Sequence, residues 1–192
     1  MIRKTLTSRP LDFVYFVYFL MHTFATVLVD LQVVYPPTMV PAFMKAITTY
    51  YMSEYNDPLI GGVSGYFGET NNFVWFKTFI LLEAFFQLPV FLLGMRGLWK
   101  DSRAIYVLLL VYAASTTTTT LPCLAVILST PLTSAETIAA GVVSITSTQR
   151  AGLLASYLPF FAIPFFMTVD MGFRVLKLIE AGVAAQRAAK SE

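Results

Sequence analysis

Residues Asn72–Gly94 read NFVWFKTFILLEAFFQLPVFLLG, an apolar run that carries, well inside it, the carboxylate Glu83, the amide Gln87 and the proline Pro89. A helix needs about 20 mainly apolar residues to cross the hydrocarbon core of a bilayer, and this stretch is long enough. Glu83 and Gln87 are four apart and stack on one helical face. Pro89 has no N–H for the carbonyl of Phe85, so a break is expected at the depth of that polar pair. Broken helices at membrane depth line protein cavities rather than face lipid, although a polar pair joining two helices gives the same pattern. On the cavity reading, Glu83 is a candidate hydrogen-bond donor or proton carrier.

Three further segments have the same length and character, at about residues 11–34, 104–128 and 152–179. With 57% hydrophobic and only 12% charged residues, and a mean hydropathy of +0.69, the 192-residue chain reads as a single all-α membrane domain over 1–192. The fold class expected is a four-transmembrane-helix bundle. The run Leu11–Val34 is too long for a signal-peptide core of about 7–15 residues and leads into Asp30-Leu31-Gln32, so it reads as a retained first span. The net charge of +2, without a basic stripe interleaved with aromatics, argues against nucleic acid as a partner. One cysteine, Cys123, and one histidine, His22, leave no expected metal site, and no cofactor motif is evident.

Lysine and arginine cluster in the N-terminal tail (Arg3, Lys4, Arg9), the link between spans two and three (Arg96, Lys100, Arg103) and the C-terminal segment (Arg174, Lys177, Arg187, Lys190). The other two loops are poor in them, so both termini are expected in the cytosol. Between spans one and two, Val40, Phe43, Met44, Ile47, Tyr50 and Tyr51 recur at helical spacing. They predict an amphipathic helix that lies on the interface or caps the bundle. Asp57-Pro58 ends it, and Gly61, Gly62, Gly65 and Gly68 predict a flexible stretch after it.

Asp30, Asp57 and Glu83 sit in or beside apolar runs, where a carboxylate costs at least about 2.5–3.5 kcal/mol. Acids retained at that cost suggest a site for a cationic or hydroxylated lipophilic ligand, although Asp30 alone also fits an interfacial acid reaching water. His22 shares a broad face with Asp30 and reads as a hydrogen-bonded structural histidine. The threonines Thr116–Thr120 before Pro122 are expected to bond back to carbonyls of the preceding turn, with one or two facing a cavity. Tyr157 in span four, beside Pro159 and Pro164, points a polar tip inward. Asp170 and Arg174, four apart, are expected to form a local ion pair.

These residues resemble the sigma-2 receptor family of the EXPERA superfamily. The resemblance is carried by Tyr18–His22, Val29–Gln32, Asp57-Pro58-Leu59, Trp75–Phe79 and Glu83 through Pro89. The Thr-Thr-Leu-Pro ending at Pro122, Tyr157-x-Pro159 and Ile163-Pro164-Phe165 extend it through all four spans. Emopamil-binding sterol isomerases and fungal efficient mitochondria targeting-associated proteins are relatives of that family. The resemblance implies a multi-pass protein of the endoplasmic reticulum membrane, homodimeric, with an occluded cavity open to membrane lipid. It implies that Asp30 pairs with a ligand amine, that Asp57 supports it, and that Glu83, Gln87, Thr119 and Tyr157 line the cavity, with His22 as a secondary candidate. Sterols or cationic amphiphiles are the implied ligands, in sterol homeostasis or mitochondrial precursor targeting. The glycine-rich stretch after Asp57 departs from the family spacing. The terminus Ala189–Glu192 lacks a lysine-rich retention tail. The principal reading is a non-enzymatic binding protein, with no catalytic residue assigned. The alternative is a sterol double-bond isomerase in which Glu83 donates a proton and Asp30 or His22 accepts one.

Overall fold

The computed structural model describes residues 4–68 and 71–191; Arg3 and Glu192 lie outside them. Four helical spans are long and apolar enough to cross a membrane: Pro10–Val33, Val74–Trp99, Arg103–Ser129 and Ser147–Lys190. The first consists of α1 (Pro10–Leu28) and a 3₁₀ turn over Asp30–Val33. Proline at the first helical position has its φ pre-set and no N–H to strand there. The tighter turn after Leu28 replaces the unbroken helix expected to residue 34, as is common at helix C-termini.

The loop to span two holds α2 (Ala42–Tyr55) and α3 (Pro58–Val63). Asn56 adopts the left-handed conformation (φ 47°) that stops α2, and Asp57 then caps α3 with Pro58 at its first position. The flexible glycine stretch expected here is not what forms. Gly61 and Gly62 are buried inside α3, where a Cβ would fall 2.2 Å from the rings of Phe67 and Phe73 respectively. These two glycines let aromatic rings lie directly on the backbone. Gly65 and Gly68, with φ of 77° and 101°, make the turns that follow.

Span two is α4 (Val74–Leu82), a π-helical turn over Glu83–Gln87, and α5 (Leu88–Trp99). The break predicted from Pro89 is resolved by this wide turn, in which the N–H of Leu88 reaches the carbonyl of Glu83, five residues back. Span three is α6 (Tyr106–Ser129) after a 3₁₀ turn at Arg103–Ile105. Its threonines behave as expected: the hydroxyls of Thr117, Thr118, Thr119 and Thr120 donate to carbonyls one turn back at 2.7–3.2 Å. The short α7 (Ala135–Ala139) carries a capping box between Ser134 and Thr137. Span four, α8, runs from Ser147 to Ser191, longer at both ends than the 152–179 read from hydropathy. Apolarity ends near Ile179, but the alanine-rich continuation is a strong helix former.

In the bundle α6 pairs along α8, and α1 along α5. Gly94 makes the second contact close, since a Cβ there would lie 2.9 Å from Phe19 and 3.1 Å from Leu109. Two apolar clusters result. One, nearer the termini, is built on Phe19, Phe91, Leu109, Tyr112 and Met167. The other, toward the opposite end, is built on Leu59, Ile80, Ile127, Ile145 and Leu153. Large apolar side chains such as Phe24, Phe85, Leu92, Val111 and Phe166 cover the outside, as lipid-facing surfaces require.

The terminal end is tied by a partly buried ionic network centred on the buried Asp12. Asp12 accepts from Arg9 and, at 2.6 Å, from Arg174, which also holds Asp170 at 2.8 Å. Tyr15 donates to Asp170 at 3.2 Å. The Asp170–Arg174 pair is therefore not only local: through Asp12 it links span four to span one. Such networks are costly to break, because one partner's loss strands a buried charge.

Candidate functional site

Between the two apolar clusters lies a cavity of about 230 Å³. Span one contributes His22, Ala25, Val29 and Asp30, and α2 contributes Tyr51. Span two supplies Phe76, Phe79, Ile80, Glu83 and Gln87. Spans three and four add Thr116, Thr119, Thr120, Cys123, Ser156, Tyr157 and Phe160. Asp30, Glu83, Gln87, Thr119, Tyr157 and His22, the residues singled out from sequence, thus meet around one void. The Asp57 carboxylate does not line it.

The π turn explains the placement of Glu83 and Gln87. Both residues stand at its two ends, four apart and on one side of the helix, and both reach the void. Glu83 is held by span one: Thr26 donates its hydroxyl to Oε1, and His22 Nε2 lies 3.3 Å from the same oxygen. His22 is clamped between the rings of Phe91 and Phe160, with centroids at 4.6 and 4.5 Å. Its Nδ1 is 3.5 Å from the Tyr112 hydroxyl, itself 3.2 Å from that of Tyr18. Gln87 is buried. Thr116 Oγ1 is buried and, among the described residues, does not bond back to its own helix as the threonines that follow it do.

Asp30 sits in the 3₁₀ turn, half-buried. Among the described residues no side chain or backbone N–H donates to its carboxylate. Its carboxyl group faces the chamber.

Asp57 is the reverse case. It is fully buried, with Oδ1 accepting the N–H groups of Leu59 (2.7 Å) and Ile60 (3.2 Å). Its Oδ2 accepts the hydroxyls of Tyr51 (2.7 Å) and Tyr157 (2.8 Å). Every acceptor site is used, so Asp57 acts on the cavity by fixing two tyrosines of its wall. Sequence reading missed Tyr51, Thr26 and Tyr112 in these roles, and expected one or two of Thr116–Thr120 at the cavity where Thr116, Thr119 and Thr120 line it. The spacing Tyr50-Tyr51 signalled only an amphipathic face.

Burial pushes the Asp57 carboxyl above the usual carboxylate range, outweighing the hydrogen bonds from Tyr51, Tyr157, Leu59 and Ile60 that favour its charged form. For an acid whose folded-state value is raised, the native state binds more protons between the two values, so stability falls as pH rises through that window. The wild-type protein is therefore expected to lose thermal stability relative to Asp57→Asn as pH is raised from about 4, the unfolded carboxylate value. Parallel melting curves for the two proteins across that range would remove this assignment.

Among the described residues no group of three His, Cys, Asp or Glu side chains is arranged to hold a metal ion. The chemistry on offer is a charge-bearing, aromatic-walled chamber with an acid–imidazole pair.

Comparison with known proteins agrees with this architecture. The chain is 30% identical over 166 residues to sigma intracellular receptor 2 of Homo sapiens, covering 86% of this chain and 89% of that protein. Against the Xenopus tropicalis protein of the same name the identity is 29% over 167 residues, 86% and 90% of the two chains. Efficient mitochondria targeting-associated protein 19 of Schizosaccharomyces pombe is 25% identical over 177 residues, 91% and 82%. Residues 43–171 match the family model described as EXPERA (EXPanded EBP superfamily), from α2 through most of span four. With four apolar spans and that match, the chain belongs to the EXPERA superfamily of multi-pass membrane proteins.

Proposed function

We propose that the cavity binds a lipophilic ligand with a cationic or hydroxyl head, of the sterol or amphiphilic-amine class. The observation that carries this reading is the Asp30 carboxylate, unpartnered among the described residues, in the wall of an aromatic-lined chamber inside the membrane domain. A carboxyl group in such a wall ionises most readily against a cationic partner, which a ligand head would supply. Tyr51 and Tyr157, locked by Asp57, frame one side, and Glu83, Gln87 and Thr116 offer hydrogen bonds to a polar head. The names of the relatives support a receptor-like role, and those of the fungal relatives support one in mitochondrial precursor targeting. In this reading the protein is a homodimer of the endoplasmic reticulum membrane with both termini in the cytosol. Lipid mass spectrometry of the purified protein is expected to find a sterol or amphiphilic amine enriched over the surrounding membrane. No enrichment, together with no saturable uptake of a cationic amphiphile, would overturn the proposal.

A second reading rests on the His22–Glu83 pair at 3.3 Å in the same wall. Moving a sterol double bond requires one group to protonate an alkene carbon and another to take a neighbouring proton. Incubation with an 8-ene sterol separates the two: 7-ene product establishes the isomerase, and bound but unchanged sterol establishes the receptor.

A further inference from the structure

Helix α2 crosses the end of the bundle opposite the termini and is pinned at both ends to the ends of spans. Gln32, in the last turn of span one, donates its amide to the carbonyl of Met44 at 2.9 Å. Gln149, in the first turn of span four, donates to the carbonyl of Glu54 at 3.2 Å. Asn56, just past α2, donates to the carbonyl of Ser144 at 2.9 Å. A helix tethered between the ends of two spans lies at the level where those spans leave the hydrocarbon.

Around its axis, at about 100° per residue, α2 has three stripes. Met44 and Met52 are buried against the bundle, and Tyr51 on that side reaches the cavity. Lys45, Thr49 and Ser53 form an exposed polar stripe. Between these lie Phe43, 60% exposed, Ile47 and Tyr50, 66% exposed, within about 60° of one another. Glu54 closes that stripe in the last turn. A helix meeting only protein and water needs two faces; the third, apolar and aromatic, calls for another medium. It adjoins an apolar rim at the same end of the bundle: Met39 ahead of α2, Val74 at the start of span two and Leu128 near the end of span three are all exposed.

We propose that α2 is an interfacial helix, lying in the headgroup layer of the leaflet opposite the termini with Phe43, Ile47 and Tyr50 seated among the acyl chains. Its polar stripe faces water and its inner face roofs the cavity. Tyr50 touches lipid while Tyr51, the next residue, donates to Asp57 at 2.7 Å in the cavity wall. The roof of the chamber is thereby anchored in the bilayer surface as well as in the protein.

Spin labels test this in the full-length protein reconstituted in phosphatidylcholine nanodiscs. Single cysteines replace Phe43, Ile47, Tyr50, Lys45, Thr49 and Ser53 in turn on a Cys123→Ala background. Labels at Phe43, Ile47 and Tyr50 are expected to collide several-fold more with oxygen, relative to a water-soluble nickel chelate, than labels at Lys45, Thr49 and Ser53. Ready collision with the chelate at all six positions would overturn the proposal in favour of a stripe in water. Exclusion of both reagents at Phe43, Ile47 and Tyr50 would overturn it in favour of a protein cover, such as a second copy of the chain. Should the cysteine variants fail to fold, Phe43→Trp in the native background serves instead. Its added emission is expected to be quenched by lipids brominated near the headgroup end of their acyl chains, and unquenched emission refutes the placement.

Discussion

Asp30→Asn is expected to reduce the affinity of the purified protein for a cationic amphiphile by about 30- to 5,000-fold, the equivalent of about 2–5 kcal/mol for removing one member of a buried charge pair. The change is isosteric, and no described protein group donates to the Asp30 carboxylate, so the fold gives up no hydrogen bond. An amide in a membrane interior also escapes the cost that a carboxyl group meets there whenever it ionises. The ligand-free variant should therefore melt at the same temperature as the wild type or above it. A neutral ligand with the same skeleton should lose far less affinity, because it makes no ion pair. Titration of both ligands against both proteins checks the prediction. Equal affinity of the cationic ligand for wild type and Asp30→Asn would remove Asp30 from the site.

Asp57→Ala should act on the fold first and on binding only as a consequence. It removes the cap of α3, a loss of about 1 kcal/mol. It also leaves the hydroxyls of Tyr51 and Tyr157 buried without their acceptor, at about 1–3 kcal/mol for each stranded group. The combined loss is several kcal/mol, on the order of a 10 °C fall in melting temperature for a chain of this size. Tyr51→Phe and Tyr157→Phe each remove one donor and leave the other bonds of Asp57 intact, so each should cost about 1 kcal/mol. Thermal melts in detergent would order the variants. An Asp57→Ala protein as stable as wild type would mean that the tyrosines find other partners.

The four spans were legible in the sequence because crossing a bilayer is decided by length and apolarity, which a linear string displays directly. Glu83, Gln87 and Pro89 also announced their own geometry, since four-residue spacing and a missing N–H are local properties. Partners on other helices were not legible. Thr26 and His22 meet Glu83 across 57 and 61 positions of sequence, and periodicity gives the face of a helix without naming the helix opposite. Asp57 appeared as an acid in a loop, and only the fold reveals that tyrosines from α2 and span four saturate it. Gly61 and Gly62 misled for a related reason. Their composition is that of a mobile connector, but their function depends on Phe67 and Phe73, whose rings need the volume a side chain would take.

The five-residue turn at Glu83–Gln87 acts as a phase shifter. One residue more than an α-helical turn requires sets everything downstream back by about 100° around the axis. Before it, Phe76 and Ile80 point into one cluster; after it, Val90 and Phe91 point into the other. A segment shorter by one residue could keep step with only one of them, so the interruption is what lets a single rod serve two differently oriented seams, with the polar chamber at the point where the phase changes.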